Sequence, residues 1–167
     1  MHEGSLAEND DRVYPSANHM PKRLSPKDFK AIYRKVPRAC VDLVVKTPQG
    51  IVLTMRQIEP EKGKWHLPGG TILKGESLSQ AVQRVAKAEL GVSVKIEKLL
   101  GAIEYLHLKK YFSQPLSFAF LVTPKKMNFT LDHQASEVQI FKSLPKNIFP
   151  SQGRFLKQNS EWTNPGI

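Results

Sequence analysis

Two acidic residues, Asp42 and Glu89, stand in stretches that are otherwise apolar, where a carboxylate could do chemistry. At about 100° per residue, Ala81, Val82 and Val85 fall on one side of a helix, and Glu89 falls in the middle of that side. A carboxylate on an apolar stripe loses hydration at a cost of several kcal/mol unless a cation or hydrogen-bond donors replace the water. A metal ion is one such cation, and a structural pair with a buried Arg or Lys is the alternative.

Turn and capping residues delimit the segment that carries the second of these acids. It begins with a glycine turn at 69–70 and continues through a polar loop that contains Glu76. A helix is predicted from about Ser77 to Leu90, and Gly91 is expected to end it. The sequence therefore predicts a glycine turn and a helix close together, with an acid on the helix.

This segment resembles the Nudix box, whose pattern is Gly-x5-Glu-x7-Arg-Glu-U-x-Glu-Glu-x-Gly-U, with U a bulky apolar residue. The residues in register with it are Gly70, Glu76, Arg84, Glu89, Gly91 and Val92. Val85 and Ala88 stand where the pattern has glutamate. The preceding Trp-His-Leu-Pro-Gly-Gly is similar to the usual lead-in to the box. The resemblance implies an α/β fold, the Nudix α/β/α sandwich with a mixed β-sheet.

Other elements can be predicted before the box. Ser25, Pro26 and Asp28 are typical of a helix start, and Phe29, Ile32, Tyr33 and Val36 would give that helix one apolar face. Strands are predicted at 40–46 and 51–55 and form a hairpin across the turn at 47–50. Asp42 in the first strand and Arg56 after the second either face water at a strand end or point into a phosphate and metal site.

After the box the pattern changes to alternation. It predicts strands at 93–100, 102–108, 116–122 and 138–141. Helical spacing recurs between Leu144 and Trp162, where Pro145, Pro150 and Gly153 are expected to break the helix early.

The length of the chain and its net charge limit the domain organisation and the kinds of partner that can be expected. A chain of 167 residues is expected to form one domain at 21–167, after a disordered polar tail at 1–20. The formal net charge of +10 favours anionic partners such as nucleic acid, nucleotides or phosphosugars, or it reflects a solvated basic surface. This pattern does not favour a nucleic-acid partner, because the sequence is short of clustered basic and aromatic residues.

Cysteine usage and hydropathy bear on location. The single Cys40 excludes an internal disulfide, and its apolar surroundings predict a plain core thiol. No segment has the roughly 18 apolar residues that a bilayer span needs, and the start of the chain lacks the apolar region of a secretion signal. We therefore expect a soluble cytoplasmic protein with no membrane partner.

Within the Nudix superfamily, the sequence is similar to the GDP-mannose mannosyl hydrolase branch, whose box also reads Arg-x-x-x-Ala-Glu-Leu-Gly. Further similarities are the Asp-Phe pair at 28–29, Asp42 and Arg56. The resemblance implies one Mg²⁺ (or Mn²⁺) ion held by the main-chain carbonyl of Gly69, by Glu89 and by Gln134. It assigns Arg84 and Asp42 to catalysis, and Arg56 and Asp42 to substrate binding. It implies attack of water on the anomeric carbon of a nucleoside diphosphate sugar, and a possible homodimer.

The sequence departs from this branch at two positions. Ala135 stands where the branch has a catalytic histidine, and Thr71 stands where it has an arginine that holds the diphosphate. If the segment is extended, His133 lies on the same face as Ala135 and could act as the catalytic base. His133 as an exposed loop residue is the alternative.

Four functional hypotheses follow from these residues. The leading one is Mg²⁺-dependent hydrolysis of a nucleoside diphosphate sugar such as GDP-mannose or GDP-glucose, with release of the sugar. The second is P–O–P cleavage of a nucleoside diphosphate derivative. The third is a catalytically silent module that binds a nucleotide sugar, and the fourth is an RNA-binding or decapping role.

Overall fold

Seven strands and three α-helices make up the described part of the chain, which in this computed structural model comprises residues 22–106, 108, 111–131 and 135–163. The predicted tail at 1–20 lies outside these residues. The elements are, in chain order, α1 (Pro26–Tyr33), β1 (Arg38–Thr47), β2 (Gly50–Arg56), β3 (Trp65–His66), β4 (Gly69–Thr71), α2 (Leu78–Leu90), β5 (Val94–Glu104), β6 (Pro115–Pro124), β7 (Ala135–Phe141), α3 (Pro150–Gln158) and a 3₁₀ helix (Ser160–Trp162).

The strands form one mixed sheet in the order β3-β2-β1-β6-β5, with β4 paired to β1 and β7 paired to β2. β1 and β6 run parallel, whereas the other pairs are antiparallel. One edge of β1 is divided between two neighbours, because residues 45–47 pair with β2 and residues 40–42 pair with β4. The mixed sheet that the sequence predicted is therefore confirmed, and β1 lies at its centre.

Alternating residues of β1 supply two hydrophobic cores on opposite sides of the sheet. Val41, Leu43 and Val45 pack in the core that contains the buried residues of α2. Val44 packs in the other core, with Phe155 of α3. Because successive side chains of a strand point to opposite faces, one strand joins both layers. The α/β/α sandwich is thereby confirmed.

Helix α2 is bounded by the residues that the sequence indicated. The Ser77 hydroxyl accepts a hydrogen bond from the Gln80 backbone N–H, and the Gln80 side chain accepts one from the Ser77 N–H. This capping box satisfies two donors at the start of the helix. Gly91 ends the helix in the left-handed conformation, with φ of 70°. The predicted span is thus correct, with Ser77 serving as the cap.

The last helix differs from its prediction. Pro150 does not break α3 but begins it, since the first turn has no need of a backbone N–H donor there. Gly153 lies inside the helix, where a Cβ atom would come within 2.7 Å of Ile148 Cγ2. The glycine therefore permits close packing against the preceding loop, and the expected early break is wrong.

Two further predictions need correction. Helix α1 begins after Ser25 as predicted, but it buries none of its residues, and Ile32 is 42% exposed. Its apolar face is therefore not part of the core.

The strands predicted at 93–100 and 102–108 are one strand, β5, which pairs with β6 through register shifts and ends at Glu104. Within the described ranges, no helix has the length and apolar character that crossing a bilayer requires.

Replacing Gly91 with alanine should destabilise the fold more than replacing Gly75. Both glycines have positive φ, so each substitution should cost about 1 kcal/mol in backbone strain. A Cβ atom at Gly91 would also overlap Thr130 Oγ1, whereas nothing lies within 4 Å of a Cβ atom at Gly75. We expect a further loss of at least about 1 kcal/mol for Gly91→Ala, measured by urea denaturation. Equal losses would contradict this explanation.

Candidate active site

A cavity of about 340 Å³ lies beside the part of β1 that pairs with β4. Its wall is rich in charged side chains from separate elements. Described residues with charged side chains in this wall are Arg23, Arg38, Arg56, Arg84, Asp42 and Glu89. Arginines outnumber acids in this set, so the cavity suits an anionic ligand.

Asp42 lies within β1 and is only 5% exposed. Its carboxylate accepts a hydrogen bond from the Tyr105 hydroxyl, and Gln152 Nε2 donates to the same hydroxyl at 2.9 Å. Burial raises the pKa of Asp42 to about 6, while the hydrogen bond from Tyr105 opposes that rise. The alternative in which Asp42 faces water at a strand end is therefore wrong.

Gly69 brings the two acids of the cavity together. It pairs with Asp42 across β1 and β4, and its backbone N–H donates to Glu89 Oε2 at 3.3 Å. A Cβ atom at position 69 would overlap Asp42 Oδ1, so only glycine leaves room for the carboxylate. Strand β1 thus brings Asp42, and helix α2 brings Glu89, to the same backbone position at Gly69.

This arrangement fits one divalent cation better than several. Carboxylate and carbonyl oxygens are the ligands that Mg²⁺ and Mn²⁺ prefer. Val85 and Ala88 line the same cavity, so two box positions present apolar groups there. Among the described residues, no three His, Cys, Asp or Glu side chains group closely enough to hold a metal ion. The oxygen donors that the described residues offer here are therefore those of Glu89 and the Gly69 backbone, with Asp42 beside them.

Two of the residues predicted for the site cannot be placed. His133, the proposed base, and Gln134, the proposed third metal ligand, lie outside the described residues. The strand that follows them, β7, pairs with β2, where Ala135 lies opposite Arg56. Their roles stay predictions.

The two predicted arginines both line the cavity, but each also fixes a loop. Arg84 donates from Nε and Nη2 to the Glu76 carboxylate, and from Nη2 to the Thr71 carbonyl at 2.8 Å. Arg56 donates from Nη2 to the Glu59 carbonyl at 3.3 Å, and its burial lowers the pKa of its guanidinium. Both side chains therefore place positive charge at the cavity wall by means of fixed local contacts.

His66 makes fixed contacts within the protein, and Cys40 is the buried thiol that the sequence predicted. The His66 ring contacts Thr54 Oγ1 at 3.1 Å and the Leu67 carbonyl at 2.8 Å. Burial lowers the pKa of His66 to about 4, so its ring is neutral near pH 7. Cys40 is a buried free thiol, and burial raises its pKa to about 11.

Sequence reasoning missed three residues of the site: Arg38, Tyr105 and Gln152. The signal for Arg38 is its spacing of four residues from Asp42, which places both on one face of a strand. No local pattern indicates the other two, because Tyr105 lies 63 positions and Gln152 lies 110 positions from Asp42 in the chain. The pairing of β6 with both β1 and β5, which ends just before Tyr105, and the packing of α3 bring them together.

A family model described as the NUDIX domain matches residues 36–158. The chain belongs to the Nudix family. The resemblance of its box and the α/β/α architecture are thereby confirmed. This assignment covers the sheet, the helix α2 that carries Glu89, and the whole of α3.

Relatives and solved structures agree with this assignment. The chain is 36% identical over 143 residues to the "Low-salt glycan biosynthesis protein Agl8" of Haloferax volcanii, covering 80% of this chain and 89% of that protein. It is 28% identical over 138 residues to the "ADP-ribose pyrophosphatase" of Methanocaldococcus jannaschii, covering 77% and 76%. The crystal structure of a MutT NUDIX hydrolase from Burkholderia pseudomallei has a TM-score of 0.67 at 22% identity, covering 74% of this chain and 98% of that one. The structural likeness supports the fold alone.

Replacing Asp42 with asparagine should stabilise the metal-free protein in a pH-dependent manner. The folded-state pKa of about 6 exceeds the ordinary 3.8, so stability is highest while Asp42 is protonated and is lost as the pH rises through about 6. Asparagine does not ionise and avoids this loss. We expect Asp42→Asn to raise the free energy of unfolding by about 1–3 kcal/mol at pH 7.5, and the gain to vanish towards pH 4.

Urea denaturation in EDTA at both pH values measures this difference. The exposed Glu104 provides a matched control, because Glu104→Gln removes the same charge without removing a buried carboxylate. A gain that is equal at both pH values, or absent at pH 7.5, would contradict the burial of an ionised Asp42.

Proposed function

We propose that this Nudix protein hydrolyses a nucleoside diphosphate sugar of the GDP-mannose type, with one divalent cation. The observation that carries the proposal is the meeting of Asp42 and Glu89 at Gly69 inside a cavity rich in arginine. Carboxylates beside positive side chains suit a substrate that combines a diphosphate with an uncharged sugar. The cleaved bond would lie at the acids, and the diphosphate would lie among the arginines.

Glu89 and the Gly69 carbonyl would hold the cation, with Gln134 as the third ligand that the sequence predicts. The bound cation would neutralise charge on the diphosphate as it leaves. The apolar side chains of Val85 and Ala88 in the cavity wall argue against a cluster of several ions, because the charge of such a cluster would need more acids. One ion is enough for a reaction in which the diphosphate departs from carbon.

The chain's own residues then have separate tasks in this reaction. Arg56 and Arg84 provide a fixed positive field toward the departing diphosphate, and a field that needs no rearrangement favours the transition state. Asp42 is the described carboxylate of the cavity, besides the cation ligand Glu89, that can accept a proton from the attacking water. His133 stays the predicted alternative for that base.

The relatives' names bear on the choice of substrate. The glycan biosynthesis protein of H. volcanii is named for a process that builds chains of sugars, which fits a protein that handles activated sugars. The ADP-ribose pyrophosphatase of M. jannaschii favours a second candidate, P–O–P cleavage of a nucleoside diphosphate derivative in the same cavity. The departures at Val85, Ala88 and Ala135 keep a catalytically silent binding module as a third outcome.

Incubation with GDP-mannose and Mg²⁺ in ¹⁸O-labelled water distinguishes these candidates. Attack at the anomeric carbon yields mannose and GDP, and the GDP carries no label because none of its phosphorus–oxygen bonds is cleaved. P–O–P cleavage instead yields GMP and mannose 1-phosphate, with ¹⁸O in one of the phosphates. We expect unlabelled GDP, identified by mass spectrometry at early times.

Two variants test the site in this assay. Glu89→Gln should lower the rate at least about a hundredfold, because it weakens the cation site and removes a carboxylate from the cavity. Glu104→Gln, at an exposed position outside the cavity wall, should leave the rate unchanged. Labelled phosphate would favour the pyrophosphatase candidate. Binding of GDP-mannose and other nucleotide sugars without any product would favour the silent module.

A further inference from the structure

The arginines of the cavity wall differ in how many hydrogen-bond acceptors the protein provides for their guanidinium N–H groups. Arg84 donates hydrogen bonds from two of its nitrogens to the Glu76 carboxylate. Arg56 donates to the carbonyls of Pro60 and Glu59. These contacts hold the loops that border the cavity, so part of each guanidinium is already used by the protein.

Arg38 has far fewer acceptors within the described part of the chain. Among the described residues, its buried Nε has no hydrogen-bond partner, and its Nη1 donates to the Thr71 hydroxyl at 3.5 Å. The guanidinium carbon lies 5.3 Å from the centre of the Phe29 ring, which covers it from one side. A buried charged donor without an acceptor is unfavourable. The fold thus keeps Arg38 where a ligand can supply the missing acceptor.

The position of Arg38 on β1 fits such a ligand. Residues two apart on a strand face the same way, and Arg38, Cys40 and Asp42 all line the cavity. At about 3.3 Å per residue, the Cα atoms of Arg38 and Asp42 are ~13 Å apart. A substrate could therefore contact Arg38 at one end and the acids at the other. A planar guanidinium beside an aromatic ring is suited to the oxygens of a phosphate.

We infer that Arg38 binds a phosphate group of the substrate and completes its hydrogen bonds only in the complex. The inference rests on the proposed use of the cavity for a nucleoside diphosphate derivative, but it does not depend on which bond is cleaved. Arg38 is a binding residue in this account, and its contact with the Thr71 hydroxyl orients it toward the cavity.

Titration calorimetry with inorganic pyrophosphate, without divalent ions, tests the inference in the full-length protein. Arg38→Gln should weaken pyrophosphate binding about tenfold to a hundredfold, through the loss of charged hydrogen bonds. Arg34→Gln provides the control, because Arg34 is exposed, lies outside this cavity wall and carries the same charge. It should bind within about twofold of the parent. Arg38→Lys should fall between them, since it keeps the charge but loses the planar fork.

Thermal unfolding separates binding from a structural role. The Arg38→Gln variant should keep a Tm close to that of the parent, because the buried Nε donor has no acceptor to lose among the described residues and the Thr71 contact is long, at 3.5 Å. The inference is overturned if the parent does not bind pyrophosphate, if Arg38→Gln binds it within about twofold of the parent, or if a lower Tm accompanies the lost affinity. Should GDP-mannose not be cleaved while Arg38→Gln still loses pyrophosphate, the proposed reaction would fail and the inference would stand.

Discussion

The approach of the Asp42 carboxylate to Gly69 is the constraint on which the rest of the site depends. Their pairing across β1 and β4 leaves no room for a side chain at position 69. The pairing exists because β1 divides one edge between β2 and β4. Helix α2 then brings Glu89 to the backbone N–H of the same glycine. A sheet connection, a glycine and a capped helix therefore act together to place two acids at one point.

The balance of charges around the site explains how the fold can place two acidic side chains so close together. Burial works against ionisation of Asp42 and raises its pKa to about 6, so the metal-free fold contains an unfavourable charge near neutral pH. The Tyr105 hydroxyl, which Gln152 supports from α3, offsets part of that cost. The arginines of the wall add positive potential from several elements. A cation at Glu89 and a phosphate at Arg38 would complete this balance and would thereby stabilise the fold.

The sequence predicted those features that depend on local patterns. Ser77 and Gly91 set the ends of α2, and helical periodicity placed Glu89 on its apolar face. The apolar run at 40–46 was sufficient to predict a buried strand there. The long-range features could not be predicted, because nothing near Asp42 in the chain indicates Tyr105 or Gln152 as its partners. Proline was misread in α3, since Pro150 breaks a helix interior but suits a first turn.

The exposed apolar face of α1 illustrates a different limit. The periodicity of Phe29, Ile32 and Tyr33 predicts which residues share a face but not whether another element covers them. In the structure, Phe29 contacts Tyr33 and the Arg38 guanidinium instead of the core. The same helix thus contributes an aromatic ring to the cavity wall. Amphipathic spacing was a correct guide to the helix, whereas the use of its apolar face depended on the tertiary structure.

We propose that one cation binds where Gly69 and Glu89 meet, and electron paramagnetic resonance can test this by counting bound Mn²⁺. Titration of the protein with Mn²⁺ in the presence of GDP should show one strongly bound ion per chain. The Glu89→Gln variant should lose that ion, whereas Glu104→Gln should keep it. Two or more strongly bound ions per chain, or one that persists in Glu89→Gln, would contradict the account.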